Sequence, residues 1–130
     1  MTNIRSKSLI LLITLLLVPE LSWSCGAAEV CSDLLSSLVA TEVIDGVRLS
    51  WSTDSEDSSV DYYKIKRHNC GNPDTCSQDV TTVTAVGTCE EMEDYVCTDY
   101  PSAPFSQWTY TVEVWKPGSV RACGVDATVG

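Results

Sequence analysis

The chain has little of what most catalytic and metal-binding chemistry draws on. It holds one histidine (His68), one phenylalanine, two methionines, and eight basic residues against 18 acidic ones. A net charge of −10 repels phosphate backbones and excludes nucleic acid as a partner. It also disfavours anionic lipid headgroups. No CxxC pair occurs, which removes thioredoxin-type redox catalysis. With one imidazole and no paired cysteines at zinc-ligand spacing, a structural zinc site is not expected. Serine–histidine catalysis would have to use His68, and no serine stands in a nucleophile-elbow sequence. Catalytic carboxylate pairs need an apolar pocket that raises one pKa, and a domain of this size offers little pocket volume. The chain is therefore not expected to be an enzyme, and no cofactor is expected.

Long apolar runs are also scarce. One occurs, residues 9–18 (LILLITLLLV), behind Arg5 and Lys7 and ended by Pro19. As a helix it would span roughly 15 Å, about half the hydrocarbon thickness of a bilayer. It therefore reads as the core of a signal peptide rather than a membrane span. Ser22-Trp23-Ser24 supplies small residues at −3 and −1 for cleavage before Cys25. Residues 1–24 are expected to be the signal, and the chain to be secreted, extracellular or in the cell envelope. The remainder is one unit more acidic than the whole, because Arg5, Lys7 and Glu20 leave together. Cys25 directly after Ser24 also resembles the lipidated first residue of bacterial lipoproteins. Ser22 and Trp23 depart from that pattern, which prefers Leu at −3 and a small residue at −2. Lipidation of Cys25 would be the only route to a membrane.

There are seven cysteines, and export permits disulfides. Six can pair and one is left over; setting Cys25 aside leaves Cys31, Cys70, Cys76, Cys89, Cys97 and Cys123. Cys70 and Cys76 bracket the turn-rich GNPDT, and Cys89 and Cys97 bracket EEMEDYV. Local pairing of each is expected, with Cys31–Cys123 as the long-range bond, although six cysteines allow 15 connectivities.

What is abundant is short alternation. Residues 47–52 (VRLSWS) place Val47, Leu49 and Trp51 on one face. Residues 60–67 (VDYYKIKR) alternate again, and 79–86 (DVTTVTAV) are rich in β-branched residues. A short piece at 95–100 precedes Pro101 and Pro104. Residues 108–115 (WTYTVEVW) and 120–129 follow, joined by the turn Lys116-Pro117-Gly118-Ser119. Asp45-Gly46 marks another turn. Residues 29–39 fit a helical face (Val30, Leu34, Leu35, Leu38), while Leu38 onward fits a first strand. No long amphipathic helix is expected after the signal. Six or seven short strands joined by turns predict an all-β fold, a two-sheet antiparallel sandwich.

In their order and spacing these segments resemble the fibronectin type III domains. Leu49-Ser50-Trp51 is similar to the strand-B signature, and Tyr63-Lys64-Ile65-Lys66-Arg67 to strand C. Thr98-Asp99 with the proline-containing link resembles the E-to-F passage. Tyr110-Thr111-Val112-Glu113-Val114 is similar to strand F, with Trp108 the alternative for the family's tyrosine, and Pro117-Gly118 is similar to the turn into strand G. The resemblance spans about residues 36–130, leaving 25–35 as an N-terminal segment. It implies an immunoglobulin-like sandwich of about seven strands. It does not bring integrin adhesion, because Arg-Gly-Asp is absent, and the cysteines are not part of the family pattern. Strands C and F are sheet neighbours in that arrangement. Tyr62 and Trp115 would then share an outer face with Lys64 and Lys66, a patch suited to binding proteins or sugars.

Two acidic runs remain. Asp54, Glu56, Asp57 and Asp61 lie in one loop and are the candidates for calcium, which wants six to eight oxygens, although EF-hand spacing is missing. Glu90, Glu91, Glu93 and Asp94 read as a charged recognition or solubility surface. The function expected is that of a non-catalytic protein-binding or structural module whose partner is another protein or a cell-surface component. The alternative is a carbohydrate-binding or calcium-dependent adhesive module.

Overall fold

The alternating segments form strands, and a computed structural model describes them over residues 24–130. The signal-peptide expectation falls almost wholly on residues 1–23, outside the described residues. The strands are β1 (Val39–Val43), β2 (Gly46–Thr53), β3 (Tyr62–His68), β4 (Gln78–Thr84), β5 (Glu93–Asp99), β6 (Thr109–Lys116) and β7 (Val120–Thr128). They make two antiparallel sheets, ordered β1-β2-β5 and β4-β3-β6-β7. Along each central strand the apolar set points inward. Leu49, Trp51, Tyr63, Ile65, Tyr110, Val112 and Val114 are buried between the sheets, each fully buried side chain contributing about 1.5–3 kcal/mol. Trp108 and Tyr110 are both in the core. Gly118 takes φ 81° in the β6–β7 turn, the left-handed position that follows proline in a type II turn.

The segment before β1, which the sequence leaves open between a helical face and a first strand, is a helix up to Ser37, with the strand starting at Val39. Ala27–Ser37 is a helix, α1, eleven residues long. Val30 and Leu34, four apart and so on one helical face, are fully buried in the same core as the sheets. The helix lies against β2, β6 and β7. Its N-terminus is held by the loop after β2, where Ala27 N donates to Ser59 Oγ at 3.1 Å and Gly26 N to Ser55 O at 2.9 Å. Its last turn is fixed by Ser37, whose hydroxyl donates to Ser52 O and accepts from Ser52 N. No helix among the described residues is long and apolar enough to cross a membrane.

Three disulfides complete the frame: Cys25–Cys89, Cys31–Cys123 and Cys70–Cys76, with Cα separations of 5.8, 6.3 and 6.4 Å. Such bonds form in an oxidising compartment. The last two are pairs the sequence favoured. The expected Cys89–Cys97 pair is corrected. Cys89, in the loop before β5, is bonded to Cys25, whereas Cys97 lies inside the extended β5 strand. Cys97 instead stands opposite Leu49 in the sheet and packs against the core. It is the free thiol, and burial, with a smaller contribution from Asp99, pushes its pKa up to about 11. Lipidation of Cys25 is corrected for a related reason: a thioether to lipid and a disulfide to Cys89 compete for the same sulfur. The two long-range bonds tie α1 to both sheets, through β7 and through the loop entering β5. Each restricts the unfolded chain by roughly 4–5 kcal/mol, against roughly 2 kcal/mol for the short Cys70–Cys76 loop.

A polar tie also crosses between the sheets. Asp99 on β5 receives Arg67 Nη1 of β3 at 2.6 Å on both carboxylate oxygens and Tyr110 Oη of β6 at 2.7 Å. Burial and the adjacent Asp99 carboxylate push the Tyr110 pKa upward, keeping it a neutral donor. The Arg67 guanidinium lies over the Trp108 ring, 5.3 Å from its centroid.

Candidate functional site: the outer face of the four-stranded sheet

Because side chains alternate along a strand, the register fixes which residues share the outer face of β4-β3-β6-β7. One row across the four strands is Thr84, Tyr62, Trp115 and Arg121. The next is Thr82, Lys64, Glu113 and Gly124, and the third is Asp79, Lys66, Thr111 and Asp126. Aromatic, cationic and anionic side chains therefore sit in a fixed grid, with no aliphatic residue among them.

Two clusters organise the grid. Tyr62 and Trp115, directly opposite in register, stack with ring centroids 5.8 Å apart and planes 5° from parallel. The Lys64 ammonium sits 5.7 Å from the Trp115 ring centroid and 3.6 Å from Asp79 Oδ2. Beside them Glu113 is only 3% exposed. Its carboxylate takes Arg121 Nε at 3.1 Å, Lys66 Nζ at 3.6 Å and Trp115 Nε1 at 3.3 Å. Arg121 can lie down over the sheet because Gly124 has no side chain: a Cβ there would sit 2.5 Å from Arg121 Nη2. On the far side, Thr111 Oγ1 donates to Asp126 at 2.6 Å.

Two concavities open on this face. A groove of about 450 Å³ crosses the sheet over Lys66, Glu113 and Arg121. It is walled by the one-turn helix α2 (Pro73–Cys76), which the Cys70–Cys76 bond and the Asn72 cap hold in place. A smaller cleft of about 270 Å³ lies between Tyr62, Lys64 and Asp61 on one side and Thr82 and Thr84 on the other. Tyr62 and Trp115, the sequence candidates for a binding patch, are thus brought together, and only Tyr62 borders the cleft.

The calcium candidates are not brought together. Among the described residues no group of three or more His, Cys, Asp or Glu side chains is placed to hold a metal. Glu56 turns inward and is 1% exposed. It accepts from Tyr63 Oη, from Tyr95 Oη at 2.6 Å and from Gly87 N at 2.6 Å. Burial, then this carboxylate, push the pKa values of both tyrosines upward, so they remain donors. Asp57 accepts from the Ser59 amide at 2.8 Å and from the Ser59 hydroxyl, and these bonds lower its pKa. Ser59 is the residue that caps α1. The Asp54 backbone carbonyl takes Glu90 N, and Asp61 joins β6 and the end of β4 through its own backbone. The acidic loop thus plugs the core and caps a helix. The second run is split likewise: Glu93 and Asp94 lie within β5, Glu90 occupies a turn with φ 73°, and no Cys89–Cys97 bond closes the run. His68 ends β3 opposite Thr109.

Glu113, Arg121, Thr82 and Thr84 were not singled out from the sequence. Glu113 carried a readable signal, a lone charge between Val112 and Val114 on the Trp115 face. Its cation from β7 depends on register and on the β6–β7 irregularity at Val114/Trp115, which no local pattern encodes.

No protein-family model matches the chain, and no curated protein is significantly similar to it. Solved structures similar to part of it include pectate lyase PelI from Erwinia chrysanthemi in complex with tetragalacturonic acid. That match has 22% identity and a TM-score of 0.47, covering 69% of this chain and 27% of the enzyme. Two crystal structures of pectate lyase Pel3 from Pectobacterium carotovorum match at 17% identity. Their TM-scores are 0.45 and 0.46, covering 69% and 70% of this chain and 25% and 24% of theirs. The chain spans about a quarter of the length of these structures.

Proposed function

We propose that the chain is a non-catalytic binding module of the extracellular space or cell envelope, on a fibronectin type III-like sandwich. Its partner is another protein or a cell-surface component. The observation that carries this reading is the outer face of β4-β3-β6-β7, where a stacked aromatic pair and an ion cluster flank two open concavities on rigid strands. Residues held by strands and by one another lose little freedom on binding. The buried carboxylates favour a non-catalytic role, because Glu56 and Asp99 are occupied by tyrosine, arginine and amide donors inside the fold. Export directed by residues 1–24 would deliver the chain to a compartment where its three disulfides persist.

Surface plasmon resonance of the oxidised chain over immobilised mucin, fetuin and collagen tests the reading. Binding to at least one surface, lost in Tyr62→Ala/Trp115→Ala and kept in Val39→Ala/Val96→Ala, is expected. Binding that survives the first pair and disappears with the second would place the working face on the other sheet. Carbohydrate recognition is the second reading, favoured by the cleft beside Tyr62.

A further inference from the structure

We propose that the cleft beside Tyr62 is a subsite for one neutral pyranose ring of a cell-surface glycan. The proposal rests on the outer face being the binding face, and it goes beyond that reading by naming the ligand.

A pyranose has an apolar C–H face and a rim of hydroxyls, so its site needs a ring to stack on and polar groups around the edge. Tyr62 supplies the ring. In its row it stands between Trp115 and Thr84. One side of it is stacked on Trp115, and the other borders the cleft. Trp115 therefore acts as the backing that keeps Tyr62 upright, with the Lys64 ammonium near its own ring. The other residues around the cleft are Thr82, Thr84, Asp61 and Lys64, whose side chains carry hydroxyl, carboxylate and ammonium groups. These offer donors and acceptors on both sides of a ring.

The charge balance selects a neutral sugar. One acidic and one basic residue, Asp61 and Lys64, line the cleft, and the Lys64 ammonium already has Asp79 at 3.6 Å. No unpaired cation waits for a uronic or sialic acid, and the chain as a whole carries −10, which repels acidic glycans. Size selects a single ring, because 270 Å³ lies just below the roughly 300–1,000 Å³ of pockets for larger ligands. The floor is rigid: Asp61 N donates to Trp115 O at 2.8 Å, and Asp61 O accepts from Ala85 N at 3.1 Å. The groove over Lys66, Glu113 and Arg121 lies on the same face, so further sugar units would run across the sheet toward β7.

Isothermal titration of the oxidised chain with methyl glycosides of glucose, galactose, mannose and N-acetylglucosamine tests this, with methyl galacturonide and sialic acid alongside. At least one neutral glycoside is expected to bind in the millimolar range, as a single subsite would. Tyr62→Ala should weaken it at least about tenfold. Thr82→Val/Thr84→Val, which keeps the β-branched shape, should weaken it with unchanged thermal stability; this second variant covers the case in which loss of Tyr62 harms the sheet. Val96→Ala, on the other sheet, should bind as wild type. The proposal is overturned if no neutral glycoside binds, if only the acidic sugars bind, or if binding survives in a folded Tyr62→Ala protein. Failure here together with face-dependent capture on mucin, fetuin or collagen would remove the sugar and leave the binding module. Loss of that capture as well would remove both.

Discussion

The two outer faces of the sandwich are built on the same extended backbone and differ in almost everything the side chains do. On β1-β2-β5 the rows are Val39–Ser50–Val96, Thr41–Arg48–Thr98 and Ser52–Asp94. Apart from Arg48 and Asp94 these are short β-branched or hydroxylic residues, and Val39 and Val96 are 52% and 62% exposed. They satisfy the strand preference for branched side chains and little more. On β4-β3-β6-β7 long side chains fold onto one another until Glu113, on an outer face, is 3% exposed. A surface carboxylate held by two cations and an indole is ordered before any partner arrives. The three-stranded face carries few side-chain contacts; the four-stranded face is ordered by its own stacked pair and ion cluster.

Both sheets are held as one body by the long-range disulfides, and removing that tie has the largest expected effect. Cys31→Ser/Cys123→Ser frees α1 from β7 and should lower unfolding free energy by about 3–5 kcal/mol, read from urea denaturation. It also removes support from Val30 and Leu34, buried on that helix. Next, Glu113→Ala leaves Lys66 and Arg121 without their shared carboxylate. A loss of about 1–3 kcal/mol is expected, while Ser50→Ala, in the middle of the other face, should stay within about 0.5 kcal/mol. Equal effects would erase the distinction between the faces.

A double-mutant cycle sharpens it further. Tyr62→Ala with Trp115→Ala should give a coupling of about 0.5–1.5 kcal/mol, as for other stacked aromatic pairs. The pair Val39→Ala and Val96→Ala, separated by Ser50 in register, should be additive within about 0.5 kcal/mol. The smallest effect lies on the inner side of the three-stranded sheet. With its pKa pushed up to about 11, the Cys97 thiol should resist iodoacetamide in mildly alkaline buffer and react only after unfolding, as mass spectrometry would record. The folded pKa lies above the unfolded value. The Cys97 contribution to stability is therefore fully present below about pH 9 and is lost as pH rises through about 11.

Much of this was legible before the structure. Alternation placed Leu49, Trp51, Tyr63 and Ile65 in the core and Tyr62 and Trp115 outside it, because side-chain direction in a strand follows from position alone. The α1 segment was harder, since Leu34, Leu35 and Leu38 suit a helix while Leu38-Val39 also starts a strand. Packing of Val30 and Leu34 against β2, β6 and β7 decided it. The cysteines divided on the same ground. Cys70–Cys76 needed only a turn, whereas Cys25–Cys89 depends on where the helix docks. The acidic loop misled because composition gives charge but not direction. Glu56 points inward to two tyrosines that are far from it in sequence or on another strand, and Asp57 serves a helix cap. The Glu113–Arg121 pair depends on register and on Gly124, and neither is a local property.

The most direct test of the working face is an amide shift map of the 15N-labelled, oxidised chain titrated in turn with maltotriose, cellotriose, chitotriose and mannotriose. The account predicts that at least one of them shifts amides around Tyr62, Lys64, Thr82, Thr84 and Glu113 and leaves Val39, Ser50 and Val96 unmoved. Shifts confined to β1, β2 and β5 would contradict it, and no shift with any of the four would remove the sugar subsite.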